Sequence, residues 1–260
     1  MTLTYIMPIN TIELDLLAKS VDYISNNQIV IHLSGFHSKE SLVKLNDFVA
    51  SYPKIKFKQI KMDLPRSISW QKAIKFALHY YPDQHYQFIF PGDKALFYPN
   101  KITQDLILGS YQIKNKKILK TVKLVEIKSY ILEYFYKSQI PIFGPLQSII
   151  FSQKSLSKIN FVKAEKNFGN ITADQGAVLE IINSENLDIL LSPDIIFCEE
   201  ISRSNRLTNK IGKKGLIQQE VSFLEKVNCN SSFRNPRLVS LISSSFWIAI
   251  SIRLLNKFYV

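Results

Sequence analysis

Two aspartates stand where a carboxylate could do chemistry. Asp93 lies in FIFPGDKALFYPN, residues 88–100, where an apolar run breaks at Pro91-Gly92, delivers one carboxylate and turns apolar again. A carboxylate so placed has two uses: its oxygens bond nearby backbone amides of the turn, or they ligate a hard divalent cation. Asp174, in ADQGAVLEII (173–182), stands in the first turn of an expected helix, where the helix dipole favours its charged form.

Other chemistries find little support. The four histidines, His32, His37, His79 and His85, form no H-E-x-x-H, and Cys198 and Cys229 lie outside any C-x-x-C, so neither zinc nor a disulfide framework is expected. No serine sits in G-x-S-x-G, and neither G-x-G-x-x-G nor a P-loop occurs; Gly212-Lys213-Lys214-Gly215 reads as a basic turn.

The elements that must position the two aspartates follow from hydrophobic patterning. Strands are expected at Leu3 to Met7, Gln28 to Leu33, Lys56 to Met62 and Tyr86 to Phe90. Between them lie helical segments at 11–26 and 39–51, and SWQKAIKFALHYY, where Trp70, Ala73, Ile74, Ala77, Leu78 and Tyr81 share one face and Ser69 is the expected N-cap. A β-α-β-α-β-α-β order implies a mostly parallel sheet with helices on its faces. Ligands of such sheets bind beyond the carboxyl ends of the strands, which is where Asp93 falls.

Downstream, a helix is expected over Val125 to Lys137, a strand over Gln147 to Phe151, a helix over 173–182, and one or two strands within DILLSPDIIFCEEI. The uncharged stretch Leu238 to Ile252 is shorter than the ~20 apolar residues a membrane span needs. The tail 228–260 is therefore expected as an amphipathic helix, either packed on the domain or lying on a membrane surface.

The chain has 260 residues, 46% of them hydrophobic, enough for a buried core. Its 33 Lys+Arg against 21 Asp+Glu give a formal charge of +12, which favours anionic partners. Aromatic residues are not interleaved with the basic stretches 114–123 and 203–214, so nucleic acid is not expected. The opening MTLTYIMPIN lacks the pattern of a signal peptide, and the cysteine usage suits a reduced, cytoplasmic compartment.

This order of features resembles the family 2 glycosyltransferases of the GT-A fold, bacterial surface-polysaccharide type, over about residues 4–227. TYIMPIN resembles the family's opening strand and its nucleotide-binding turn, with Pro8 and Asn10. QIVIHLSGFHSKES places Ser34 where many members carry an Asp contacting uracil or ribose. Asp63 falls near the base position, and QKAIKFA, with Gln71 and Lys72, resembles the Asn-Lys-Gly-Ile helix. FIFPGDKALFYPN matches the D-x-D region, with Gly92 and Asp93 kept and Pro91 replacing the first acid. LGSYQIKN has Ser110 in an acidic place. IPIFGPLQSIIFSQKSL keeps Gln147 and Phe151 of the acceptor-side segment but has Leu146 where His is common. NITADQGAVLEII matches Asp174 to the catalytic base, and Glu220 to the glutamate of the closing helix.

The resemblance implies a three-layer α/β/α fold, Rossmann-like, with a nucleotide-binding half at 1–100 and an acceptor-binding half at 101–227. It implies an inverting transfer of sugar from a nucleotide-diphosphate donor, UDP-linked, to a saccharide or lipid-linked acceptor. Asp174 would be the base, and a divalent metal, Mn²⁺ or Mg²⁺, would sit on Asp93. Gln147 and Glu220 would face the acceptor, on the inner side of the plasma membrane. The departures at Ser34, Pro91, Ser110 and Leu146 support an alternative, a glycosyltransferase-like binding or scaffold protein that has lost catalysis.

Overall fold

A computed structural model describes residues 3–96, 102–113, 145–184 and 187–199. Its first part alternates strand and helix as expected: β1 (Leu3–Ile9), α1 (Leu14–Ile24), β2 (Gln28–Ser34), α2 (Lys39–Ala50), β3 (Ile55–Ile60), α3 (Arg66–Tyr80) and β4 (His85–Phe88). There follow β5 (Asp93–Ala95), β6 (Leu106–Ile113), a 3-10 turn (Leu146–Ser148), β7 (Ile149–Ser152), α4 (Gln153–Lys158), α5 (Phe161–Phe168), α6 (Ala173–Ser184) and β8 (Ile189–Glu199).

The strands form one eight-stranded sheet in the order β3-β2-β1-β4-β7-β6-β8-β5. The pairs β3–β2, β2–β1, β1–β4 and β6–β8 are parallel, while β7 runs antiparallel to β4 and β6, and β5 runs antiparallel to β8. The mostly parallel α/β architecture is thus as expected. Because β4 bonds directly to β7, the sheet is continuous from the first half of the chain into the second.

Every residue of β1 is buried, as befits a central strand with helices on both faces. Its period-2 alternation divides the core. Ile6 faces one cluster with Val30, Trp70, Ile74, Phe88 and Phe161, which takes helices α3, α5 and α6. Tyr5 and Met7 face the other, with Leu17 and Val21 of α1 and Leu45 of α2.

Two boundaries differ from those expected from sequence. Ser69 is not the N-cap of α3: the helix begins a turn earlier, behind Pro65, and the Ser69 amide already donates to Pro65 O at 2.9 Å. Proline fixes its own φ and suits a helix entry, so the polar Ser-Ile-Ser stretch is drawn into the first turn. Gln147 lies in the 3-10 turn ahead of β7 rather than in the strand. The run DILLSPDIIFCEEI, expected to hold one or two strands, yields one, β8. Helices α4 and α5 had no counterpart in the sequence reading. The helix expected at 125–137, the basic stretches 114–123 and 203–214, Cys229, Glu220 and the tail 228–260 lie outside the described residues.

Candidate functional site at the carboxyl ends of the parallel strands

The chain leaves β2 through Ser34 and Gly35. Gly35 has φ +112°, a backbone region that side chains disfavour, and its N–H donates to Ile60 O at the end of β3. A Cβ there would lie 3.1 Å from Asp63 Oδ1 and 3.2 Å from His37 Nε2. His37 Nε2 is within 3.2 Å of Ser34 O, and Ser34 Oγ shares a hydrogen bond with Ser69 Oγ of α3 at 3.3 Å. Ser34, His37 and Asp63 therefore converge around a bare glycine. Asn10 is exposed directly after β1, whose Ile9 pairs with Leu33. Of the expected nucleotide-side residues, Asn10, Ser34 and Asp63 thus share one end of the sheet, rimmed by Phe36, 73% exposed, and Met62, 56% exposed. Pro8 lies buried inside β1, opposite His32.

Gln71 and Lys72 do other things. The Gln71 amide donates to Ile159 O at 3.0 Å, and its Oε1 accepts from Phe161 N at 3.0 Å, so it ties α3 to the start of α5. Lys72 is exposed on the outer side of α3. With Lys58 it contributes positive charge near His32, whose pKa burial pushes down to about 4. His32 is therefore neutral at physiological pH.

Gly92 and Asp93 are built into the frame. The Gly92 N–H, at φ +90°, donates to Ser20 Oγ at 2.9 Å and Leu16 O at 3.1 Å, and Ser20 Oγ in turn donates to Asp93 O at 2.7 Å. Asp93 is 1% exposed, and its Oδ2 accepts from the Phe90 amide and from Gln147 Nε2, both at 3.1 Å. Gln147 is also buried, and its carbonyl accepts from the Gln87 side chain at 2.7 Å. A resident divalent cation needs several oxygen ligands from protein, substrate and water. Among the described residues no group of three or more His, Cys, Asp or Glu could hold one. Asp93 is buried, and its Oδ2 is already bonded to its own turn and to Gln147, with Pro91 two residues before it.

The second carboxylate is placed differently. Asp174 stands half-buried in the first turn of α6, with Oδ1 accepting from Gln175 N at 3.0 Å. Burial pushes its pKa up, and the positive charge of Arg66 and backbone hydrogen bonds pull it down. The α6 backbone comes close to α5 because residue 176 is glycine: a Cβ there would overlap the Phe168 ring.

Arg66 is the first residue of α3, ahead of the Ser69 start expected from sequence, and is a site residue that expectation lacks. Its guanidinium lies over the Trp70 ring, Cζ 4.7 Å from the centroid. Trp70 in turn packs on Phe88, Phe90 and Phe161 at 6.2, 5.7 and 5.2 Å between centroids. Asp174 and Glu165 both act on Arg66 electrostatically, against a desolvation that lowers its pKa. Glu165 also accepts from Ser67 Oγ, tying α5 to the first turn of α3. The signal available in sequence was the pair Pro65-Arg66, a proline at a helix entry followed by a cation with no acidic residue in the first turn.

No protein-family model matches the sequence, and no curated protein matches it. Among solved structures, the chain is similar to the 1–349 segment of S. aureus TarS, with a TM-score of 0.52 and 10% identity over 89% of this chain and 66% of that one. The same segment in complex with UDP aligns with a TM-score of 0.48, at 13% identity, over 89% of this chain and 67% of that one. HddC from Yersinia pseudotuberculosis aligns with a TM-score of 0.39, at 13% identity, over 75% of this chain and 91% of that one. The first of these likenesses is one of fold. The chain spans about two thirds of the length of that TarS segment.

Proposed function

We propose that the chain is an inverting glycosyltransferase that takes a sugar from a nucleotide-diphosphate donor and passes it to a saccharide or lipid-linked acceptor. The observation that carries this reading is Asp174, a half-buried carboxylate in a helix first turn, electrostatically coupled to a cation beyond the carboxyl ends of a mostly parallel sheet. S. aureus TarS, which shares the fold, has been crystallised in complex with UDP, and UDP is the nucleotide proposed for this chain.

In this reading the nucleoside lies by Asn10, Ser34, Gly35 and Asp63. The acceptor hydroxyl attacks the anomeric carbon from the face opposite the diphosphate. Its proton passes to the Asp174 carboxylate, and the bond between the anomeric carbon and the diphosphate oxygen breaks with its electron pair leaving on the diphosphate. The metal expected at Asp93 is not carried into this scheme, because that carboxylate serves its own turn. The net charge of +12 suits an anionic donor and a lipid-linked acceptor at an acidic membrane surface. No helix among the described residues is long and apolar enough to cross a membrane.

A second reading, a binding protein without turnover, is favoured by the internal use of Asp93. A panel of UDP-sugars separates the two. Release of UDP by the wild type, lost in Asp174→Asn, supports the enzyme; UDP binding with no turnover of any donor supports the second reading.

A further inference from the structure

We infer that Arg66 supplies the cation that receives the diphosphate of the bound nucleotide, in the role that a divalent metal would otherwise fill; this rests on the donor reading above. Buried polar groups in folded proteins are almost always paired, and an unpaired one costs more when it is charged. Arg66 Nη2 is buried and has no hydrogen-bond partner among the described residues. The guanidinium nonetheless has a platform: its Cζ lies over the Trp70 ring, 4.7 Å from the centroid. Trp70 is 8% exposed and wedged against Phe88, Phe90 and Phe161, so the platform itself is fixed. The result is a guanidinium stacked over a fixed ring with one buried nitrogen unpartnered among the described residues.

Its surroundings select the kind of oxygen. Asp174 and Glu165 both favour the charged guanidinium, but neither forms an ion pair with it among the described residues. Glu165 instead accepts from Ser67. Guanidinium is a planar fork that matches the oxygens of a phosphate and stays charged at any physiological pH. The Trp70 ring beneath it also packs on Phe90, the residue before the Pro91-Gly92 turn, and Ser69 of the same helix bonds Ser34 of the Ser34–Asp63 corner. A nucleotide seated at that corner would direct its phosphates toward Arg66, with Asp174 beyond.

Isothermal titration in EDTA tests this, with UDP, inorganic pyrophosphate and uridine as probes of the wild type, Arg66→Gln and Arg66→Lys. Loss of one charge-assisted hydrogen-bonded contact should weaken UDP and pyrophosphate binding by roughly ten- to a hundredfold in Arg66→Gln. Uridine binding should be unchanged, and Arg66→Lys should fall between. UDP binding by Arg66→Gln within twofold of the wild type would overturn the inference while leaving the donor reading intact. Pyrophosphate binding that is lost with Arg66 in a protein that never binds UDP would remove the nucleotide but keep Arg66 as an oxyanion site. No binding of either probe by the wild type overturns both. Should Arg66→Gln fail to fold by circular dichroism, Arg66→Lys decides: several-fold weaker UDP binding supports the fork, and wild-type binding contradicts it.

Discussion

Gln147 donates its side-chain amide to Asp93 Oδ2 at 3.1 Å, and the Phe90 backbone amide donates to the same oxygen at the same distance. The pair joins the turn after β4 to the 3-10 turn before β7, two segments far apart in sequence whose strands are neighbours. It makes Asp93 a hub of the frame beneath the site. Asp93→Ala would leave both donors buried without that acceptor, at a cost of about 1–3 kcal/mol. Urea denaturation should show the loss directly. A loss of activity without loss of stability would point instead to contact with ligand.

Asp174→Asn should abolish sugar transfer and leave UDP affinity unchanged. It should also stabilise the protein at neutral pH. Burial raises the folded-state pKa of Asp174 above its ordinary 3.8, so its ionised form is disfavoured by folding. That penalty is absent below pH 3.8, grows as pH rises through the folded-state pKa and is complete above it. Thermal melts of both proteins across pH should converge in acid and separate toward neutrality, with the variant the more stable. The acid limb of the activity profile should lie above the usual carboxylate range and move further up in Arg66→Gln.

Gln71 shows why the site was only partly legible in sequence. Its helix was readable from the apolar face of Trp70, Ala73, Ile74 and Ala77, all buried as that spacing requires. Which partners its polar face would meet was not readable: Gln71 meets Ile159, just past α4, and Phe161, the first residue of α5, and both helices are too short to carry a clear periodic signal. Strands of a buried parallel block are continuous apolar runs, so β1, β2 and β4 stood out. Asp93 was legible as a turn carboxylate and as a candidate ligand, but its partner Gln147, remote in sequence, was not. Gln71→Leu should cost about 1–3 kcal/mol, two hydrogen bonds' worth, while UDP affinity stays within a few fold.

Gly176→Ala is expected to be the most disruptive small change near Asp174. The added methyl would meet the Phe168 ring, and overpacking of this kind costs about 1–3 kcal/mol. Because Gly176 follows Asp174 by less than a turn, transfer should fall along with the melting temperature. Phe168→Leu in the same chain should recover part of both, since it relieves the contact.

Gly35→Ala tests the nucleotide corner. The φ of +112° is strained for alanine, at about 1–3 kcal/mol, and the methyl would press on Asp63 and His37. UDP binding should weaken more than stability falls. A variant that loses stability but binds UDP normally would move the nucleoside away from this corner.

The most direct measurement is isothermal titration of UDP into the wild-type protein, once in EDTA and once with Mn²⁺. Saturable binding in both, with affinities within tenfold, is the predicted result: the nucleotide corner receives the base, and Arg66 rather than a metal on Asp93 receives the diphosphate. Binding that appears only with Mn²⁺ would return Asp93 to the role of metal ligand, and no binding in either condition would contradict the nucleotide-sugar account itself.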